Sequence, residues 1–319
     1  MTKRKIVITQ DLEQRLIDAV ANVASDWELI VGKDPSVWQE DVKDAEIIVS
    51  WKHRLHDTFL QNNNLRWIQA WSAGVNYLPL DQFEKKDILL TSAKGVHAYP
   101  ISETIFGLML ALTRKIDTYV KNQLLKKWDE SDIKLEIHGK TIGIIGVGMI
   151  GQETARIAKA FNMNVIGVRH SGKPAEYVDE MVTSLEIDTI LPKCDYVVAT
   201  LPLTKDTYHL FGEKQFELMK DSAFFINIGR GEIVDEQALY NALSKGKIAG
   251  AGLDVFEKEP LPIESPLWDL DNTIITPHTS GSTEHYKERV IEHIFLPNFK
   301  NYIEGLAPTV NLVDYKKGY

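Results

Sequence analysis

The chain has 319 residues, of which 44% are hydrophobic and 25% charged, with a formal net charge of -9 at pH 7. That length exceeds one ordinary core and suits two domains, while an acidic balance without a basic stripe argues against a nucleic-acid or anionic-membrane partner. A single cysteine, Cys194, excludes an intrachain disulfide and a cysteine-based zinc site.

Behind the charged start Met-Thr-Lys-Arg-Lys the apolar run Ile6-Val7-Ile8 ends at Thr9-Gln10, too short for a signal peptide. No window approaches the ~18 apolar residues of a membrane span. A reducing, cytoplasmic setting is expected. Strand-like runs at Lys5–Ile8, Glu28–Val31, Ile47–Ser50, Trp67–Ala70 and Ile88–Thr91, with a helix over Gln10–Ala24, predict a small flavodoxin-like α/β domain with a parallel sheet. Tyr99-Pro100 then breaks the chain. Ser102 is placed to cap a long helix over 102–127, with Glu103 in its first turn and a wide apolar stripe through Ile105, Leu108, Met109, Leu112, Ile116 and Tyr119. A second βαβ series follows at Thr141–Val147, Asn164–Val168, Tyr196–Ala199, Phe224–Asn227, Ile248–Asp254 and Thr273–Ile275. The runs from Phe224 onward read as strands covered on both faces. A last helix is expected over Glu284–Asn301, kinked near its end by Pro297, with no strand after it.

The strand ending at Ile145 runs into Gly146-Val147-Gly148-Met149-Ile150-Gly151, and a helix is predicted over Gln152–Phe161. Between a strand and a helix this G-x-G-x-x-G spacing gains meaning. Gly146 permits a tight turn, Gly148 lets backbone approach a pyrophosphate, and Gly151 allows close helix–strand packing. The helix N-terminus then offers free N–H groups to the anion. An NAD enzyme places an acid about 20 residues further on, to bind the ribose 2′-hydroxyl. Here the second strand ends in Arg169-His170-Ser171-Gly172-Lys173, with no acid. Arginine and serine suit a 2′-phosphate, so NADP(H) is expected ahead of NAD(H).

Three strand ends carry candidate chemistry. Asn227-Ile228-Gly229-Arg230-Gly231 sets an arginine at a strand's carboxyl end, where open α/β sheets bind ligands, and its planar fork suits a 2-keto carboxylate. Asp254-Val255-Phe256-Glu257-Lys258-Glu259-Pro260 runs from a strand into acids, and Thr276-Pro277-His278 puts a histidine just past another. Carbonyl reduction needs a hydride source, a proton donor and a group that stabilises the developing alkoxide. His278 is the candidate donor, Glu259 its orienting carboxylate and Arg230 the electrophilic clamp. His53-x-x-His56 stands beside Lys52 and Arg54 without a carboxylate cluster, so it reads as a solvated loop and no metal is expected.

Together these motifs resemble the D-isomer-specific 2-hydroxyacid dehydrogenase family, which includes glyoxylate/hydroxypyruvate reductases, D-lactate dehydrogenases and phosphoglycerate dehydrogenases. The resemblance rests on Trp71-Ser72-Ala73-Gly74-Val75-Asn76, Gly146–Gly151, Leu201-Pro202-Leu203-Thr204, Asn227–Gly231, Asp254–Pro260 and Pro277-His278, and it spans essentially the whole chain. It implies a Rossmann-type nucleotide-binding domain (100–284) inserted into a discontinuous flavodoxin-like substrate domain (1–99 and 285–319). It implies Arg230 on the substrate, Glu259 behind His278, and His278 as acid/base. Backbone N–H groups around Ala73, Gly74 and Val75 would hold the substrate carboxylate, and Ile228 and Asp254 would lie near the nicotinamide carboxamide. Further cofactor contacts are expected from Met149, Ile150, Arg169, His170, Ser171, Lys173, Leu201, Pro202, Thr207, Gly229 and Ser280. Trp51, Trp71 and the loop Lys94–Tyr99 are candidate pocket walls. A homodimer through the nucleotide domain, using the long helix, is the family expectation.

Two departures stand out: Asn76, where many members carry Asp, and Arg169 in place of the acid. The short segment after the last helix points to the glyoxylate/hydroxypyruvate reductase type, acting on a small 2-keto or 2-hydroxy acid. A phosphoglycerate- or D-lactate-dehydrogenase-like NAD enzyme is the alternative, and a cofactor-sensing corepressor-like scaffold the alternative of another class. An L-specific lactate or malate dehydrogenase would place its glycines near the start of the chain rather than at 146.

Overall fold

The computed structural model describes residues 3–52, 61–75, 77–130 and 135–315. His53, His56 and Asn76 lie outside them. The chain forms two compact units, one of residues 1–96 with 283–319 and the other of residues 97–282. Among the described residues no helix is long and apolar enough to cross a membrane.

The first unit is built on five parallel strands, β1 (Lys5–Ile8), β2 (Glu28–Val31), β3 (Ile47–Val49), β4 (Trp67–Gln69) and β5 (Leu89–Thr91), in the order β2-β1-β3-β4-β5. This is the flavodoxin-like arrangement. Alternation along each strand sends Val7, Ile48, Ile68 and Leu90 to one face, with Trp38, Trp51 and Phe83. Ile6, Ile8, Ile47, Val49 and Trp67 go to the other, where Leu16 and Val20 of the helix Gln14–Val23 meet Phe295 and Phe299 of the last helix. Trp67 stacks on Phe295 with centroids 5.1 Å apart, and Trp27 meets Phe299 edge-on at 5.3 Å. Burial on this scale contributes about 1.5–3 kcal/mol per large side chain. At the amino ends of β1 and β3 Arg4 donates to Glu46 (2.8 Å) and lies 4.0 Å over the Trp27 ring, and Tyr302 donates to Glu46. Burial opposes ionisation of Glu46, but the Arg4 and Tyr302 contacts outweigh it and hold its carboxyl below the usual range.

The expected last helix runs from Tyr286 to Ile303, with its irregularity ahead of Pro297 rather than at the end. Residues Arg289–Phe295 wind as a π-helix before the α-helical Leu296–Ile303. Proline cannot donate to the carbonyl one α-turn back and its ring crowds that carbonyl, and a wider turn relieves both. The chain then returns to the sheet: Thr91 and Leu312 form an antiparallel bridge, and Val313 N–H donates to the Leu90 carbonyl.

The second unit has seven parallel strands, β6 (Thr141–Ile145), β7 (Asn164–Val168), β8 (Glu180–Val182), β9 (Tyr196–Ala199), β10 (Phe224–Asn227), β11 (Gly250–Leu253) and β12 (Thr273–Ile275). Their order is β12-β11-β10-β9-β6-β7-β8. The chain reverses its direction of growth between β6 and β9, the switch point at which such sheets bind nucleotides. β10 and β11 are buried throughout, whereas the edge strand β12 is only half-buried.

Two expectations for the helix before β6 are corrected. It spans Ala98–Arg114, so Ser102 is no cap: it lies inside the helix, buried, its hydroxyl donating to the Tyr99 carbonyl, and Glu103 is beyond the first turn. Pro100 does not break the chain, because a first-turn residue needs no intrahelical N–H. The helix also stops at Lys115, in the left-handed region at φ 56°, and a separate helix Ile116–Leu124 follows. The buried stripe ends near Leu112, leaving Ile116 50% exposed.

Candidate active site

The glycine motif caps β6. Gly146 has φ +114°, and a methyl group there would lie 2.8 Å from Thr200 Oγ1 and 3.1 Å from the Leu201 nitrogen. Its N–H and that of Val147 both donate to the Val168 carbonyl, and Thr200 Oγ1 donates to the Gly146 carbonyl at 2.6 Å. The helix starts one turn earlier than expected, at Met149, with Gly148 as its cap. No side chain caps this N-terminus, and a methyl group on Gly148 would meet nothing within 4 Å. At Gly151 a methyl group would lie 2.4 Å from the Gly146 carbonyl oxygen, so helix and turn pack closely. Uncapped first-turn N–H groups before open space fit a pyrophosphate.

β7 delivers Arg169, whose N–H donates to Val182 on β8, followed by the exposed His170, Ser171 and Lys173. Among the described residues the side chains of Arg169, His170 and Lys173 enter no hydrogen bond or ion pair, while the Lys173 N–H donates to Ser171 Oγ at 3.4 Å. β9 delivers Leu201 and Pro202. Thr207 locks the next turn, its hydroxyl donating to the Pro202 carbonyl at 2.8 Å and accepting from the Thr204 N–H at 2.7 Å.

β10 ends in buried Asn227. Its side chain accepts from the Gly229 N–H and donates to the Arg230 carbonyl, both at 3.1 Å. This clamp presents Arg230 at the surface, with one guanidinium N–H on the Gly229 carbonyl, while Ile228 stays buried. Two glycines let the loop fit: a methyl group on Gly229 would lie 2.7 Å from the Leu201 carbonyl oxygen, and one on Gly231 1.8 Å from the carbonyl carbon of Phe256.

Just past β11 comes Asp254, fully buried, whose carboxylate accepts from Thr276 Oγ1 (2.6 Å) and from the N–H groups of Thr279 and Ser280 (both 3.0 Å). These bonds hold the turn that carries His278, whose own N–H donates to the Asp254 carbonyl at 2.8 Å. His278 has φ +51°, a conformation costing a non-glycine residue about 1–3 kcal/mol and kept only where the surroundings impose it. Its Nδ1 lies 2.7 Å from Glu259 Oε2. The other oxygen of Glu259 accepts from the Phe256 N–H at 3.0 Å. The second unit therefore contains Arg230, Glu259, His278, Asp254 and the glycine cradle, all past the carboxyl ends of parallel strands.

The first unit carries the remaining candidates. Trp51 is a core residue, 6% exposed and edge-on to Phe83 at 5.1 Å. Past β4, Ala73 and Gly74 are exposed and Val75 is buried. Ser72 Oγ donates to the Gly74 carbonyl, and the Tyr286 hydroxyl to the Trp71 carbonyl. Among the described residues no backbone carbonyl takes the N–H of Ala73, Gly74 or Val75.

Sequence reasoning gave no role to Asn227, Thr200 or Thr276. Each is a short polar side chain at the last residue of a strand or one residue past it, which is the signal that could have found them. Cys194 is buried against Gly143, and burial pushes its thiol up to about 12, which disqualifies it as a nucleophile. Among the described residues there is no cluster of metal-ligating side chains.

Residues 106–280 match the model of the D-isomer specific 2-hydroxyacid dehydrogenase, NAD binding domain. The chain belongs to the D-isomer specific 2-hydroxyacid dehydrogenase family. With that membership comes the reaction class, NAD(P)-dependent oxidation and reduction at the CH–OH group of a hydroxy acid. Among relatives, a glyoxylate reductase of Korarchaeum cryptofilum is 32% identical over 305 residues, covering 92% of this chain and 91% of its own. A D-3-phosphoglycerate dehydrogenase of Methanocaldococcus jannaschii is 36% identical over 285 residues, 88% of this chain, but the match spans only 54% of that protein's length. Among solved structures, an NADPH-dependent glyoxylate/hydroxypyruvate reductase from Sinorhizobium meliloti, in complex with NADP and sulfate, superposes with a TM-score of 0.78. It is 28% identical, with 99% of this chain and 100% of that chain covered.

Proposed function

We propose that this family member is an NADPH-preferring reductase of a small 2-keto acid such as glyoxylate or hydroxypyruvate. The observation that carries the reading is the Glu259–His278 pair at 2.7 Å, set in the same unit as an exposed Arg230 and an uncapped glycine cradle.

Residues Gly146 to Gly151 would hold the pyrophosphate and the Arg169–Lys173 turn the 2′-phosphate. When bound, the reduced nicotinamide supplies hydride. With Glu259 engaging Nδ1, the other ring nitrogen of His278 is left to give a proton to the substrate carbonyl oxygen. Arg230 offers the N–H groups not spent on Gly229 to the substrate oxygens, drawing charge from the carbonyl as the alkoxide develops. Asp254 acts through the turn it holds. In the first unit, the loop 73–75 offers backbone N–H groups that suit a carboxylate. A cytoplasmic setting accompanies this reading.

The test is a panel of glyoxylate, hydroxypyruvate, pyruvate, phenylpyruvate and 3-phosphohydroxypyruvate against both reduced cofactors. Fastest turnover is expected for the first two with NADPH. A best rate with 3-phosphohydroxypyruvate and NADH would overturn the substrate and cofactor assignments together, and no nicotinamide oxidation with any acid would favour a sensing scaffold.

Cofactor choice has its own variant. Arg169→Asp should raise the KM for NADPH on the order of 10- to 100-fold, the range of a lost charge-assisted hydrogen bond of about 1.5–3 kcal/mol. NADH should gain, because the new carboxylate accepts from a ribose hydroxyl and repels a phosphate. An unchanged ratio of the two cofactors would remove Arg169 from the site.

We also propose a homodimer. Ile116, Val120 and Leu124 repeat every four residues on the helix Ile116–Leu124 and are 50%, 53% and 80% exposed, with Trp128 90% exposed beyond them. An apolar stripe of this kind marks an association surface. Leu124→Glu with Trp128→Glu should halve the mass measured by sedimentation equilibrium. A dimer that survives both changes would place the contact elsewhere.

A further inference from the structure

The loops past β9, β10 and β11 are neighbours because the strands are, and one group of polar side chains joins all three. His209, past β9, donates its N–H to the Glu232 carbonyl at 2.8 Å, and Phe211 bridges Val234 in parallel register. Glu236, past β10, and Glu257, past β11, make a reciprocal pair: Glu257 N–H donates to Glu236 Oε1 at 2.6 Å, and Glu236 N–H donates to Glu257 Oε1 at 3.2 Å. The same Glu257 oxygen lies 2.9 Å from His209 Nε2. That approach makes no aligned hydrogen bond, so it is a close polar contact only. Two carboxylates held this close need compensation. Burial and the neighbouring Glu257 charge push the Glu236 carboxyl up, and the imidazole of His209 stands on the far side of Glu257.

None of these side chains belongs to the proposed chemistry, yet each bears on where Glu259 sits. One Glu259 oxygen is anchored on the Phe256 N–H, and the other meets His278. The backbone at 256–257 is thus the fixed point from which Glu259 reaches the imidazole. Gly231 presses on that backbone from one side, and the Glu236 carboxylate holds the Glu257 N–H.

We infer that Glu236, Glu257 and His209 form a positioning clamp that fixes the 256–257 backbone and so sets the geometry of the Glu259–His278 pair. This rests on the acid/base reading of that pair. The clamp acts on proton transfer: the glycine cradle and Arg169 lie past β6 and β7, and Thr207, the expected cofactor contact nearest His209, is held by its own bonds to Thr204 and Pro202 rather than by the clamp.

The experiment uses the full chain with its best keto acid. Glu236→Ala removes the acceptor, whereas Glu236→Gln keeps an oxygen for the Glu257 N–H. Glu236→Ala should lower kcat about 10-fold, as expected for a sub-ångström misplacement of a reacting group, and enlarge the solvent deuterium isotope effect on kcat. The KM for reduced cofactor should stay within about twofold, and Glu236→Gln should recover most of the turnover. Should Glu236→Ala fail to fold, His209→Asn replaces it, since asparagine tolerates the φ of +49° while removing the imidazole; a threefold or greater fall in kcat at unchanged cofactor KM is then expected. Wild-type kcat in whichever variant folds, or equal damage from Ala and Gln at 236, would overturn the clamp. A His278→Ala enzyme that kept its turnover would instead overturn the acid/base reading beneath it.

Discussion

Replacing His278 with alanine will lower kcat by about 10²–10⁴, the usual contribution of a positioned proton donor. The loss should appear equally in kcat and kcat/KM, because a proton moving in the transition state contributes little to ground-state binding. Affinity for the reduced cofactor, measured by fluorescence titration, should hold. Position 278 keeps φ +51°, and alanine tolerates that conformation no better than histidine, so stability should not rise. Glu259 would keep its bond to the Phe256 N–H and remain in place without a partner. Turnover near that of the parent enzyme would remove His278 from the chemistry.

Gly231→Ala is the second large effect, and it comes from backbone rather than side chain. A methyl group at 1.8 Å from the Phe256 carbonyl carbon cannot be accommodated by a rotamer change, since the three nearest atoms are all main chain. The Arg230 loop or the 256–259 segment must move, so both a fall in stability of about 3 kcal/mol or more and loss of turnover are expected. Gly107→Ala is the control. That glycine sits within the helix Ala98–Arg114 with nothing within 4 Å of an added methyl, so stability should rise by about 0.5–1 kcal/mol. Thermal unfolding and steady-state rates of the two variants separate the cases; a Gly231→Ala enzyme with parental Tm and kcat would show that the contact yields freely.

The two parallel sheets were legible because fully covered strands read as apolar runs, and five of the second unit's strands begin or end where the sequence placed them. β8 was missed. Glu180-Met181-Val182 is a three-residue edge strand with no apolar run to announce it. The helix start at Ala98 was hidden by Pro100, which serves as a breaker or a first-turn residue depending only on register. The stop at Lys115 carries no glycine or asparagine to signal a left-handed residue. Around the site, Arg230, Glu259 and His278 could be named from their places past strand ends. The Asp254 bonds to the 276–280 turn, the Gly231 contact with Phe256 and the His209–Glu257–Glu236 group join residues far apart in sequence. Local pattern carries no record of them.

The bridge between Thr91 and Leu312, with Phe295 and Phe299 lying over Trp67 and Trp27, has a consequence during synthesis. The amino-terminal sheet leaves the ribosome first but must wait for residues 283–315 before the face already met by Leu16 and Val20 is fully covered. At ~5–20 residues per second, translating residues 97–282 takes roughly 10–40 s. Those residues can complete their own sheet while the part of that face awaiting Phe295 and Phe299, around Trp67 and Trp27, stays open to solvent or to a chaperone. The first-made segment is therefore the last to close, and nascent chains stalled near residue 282 should be more aggregation-prone than those stalled near 315.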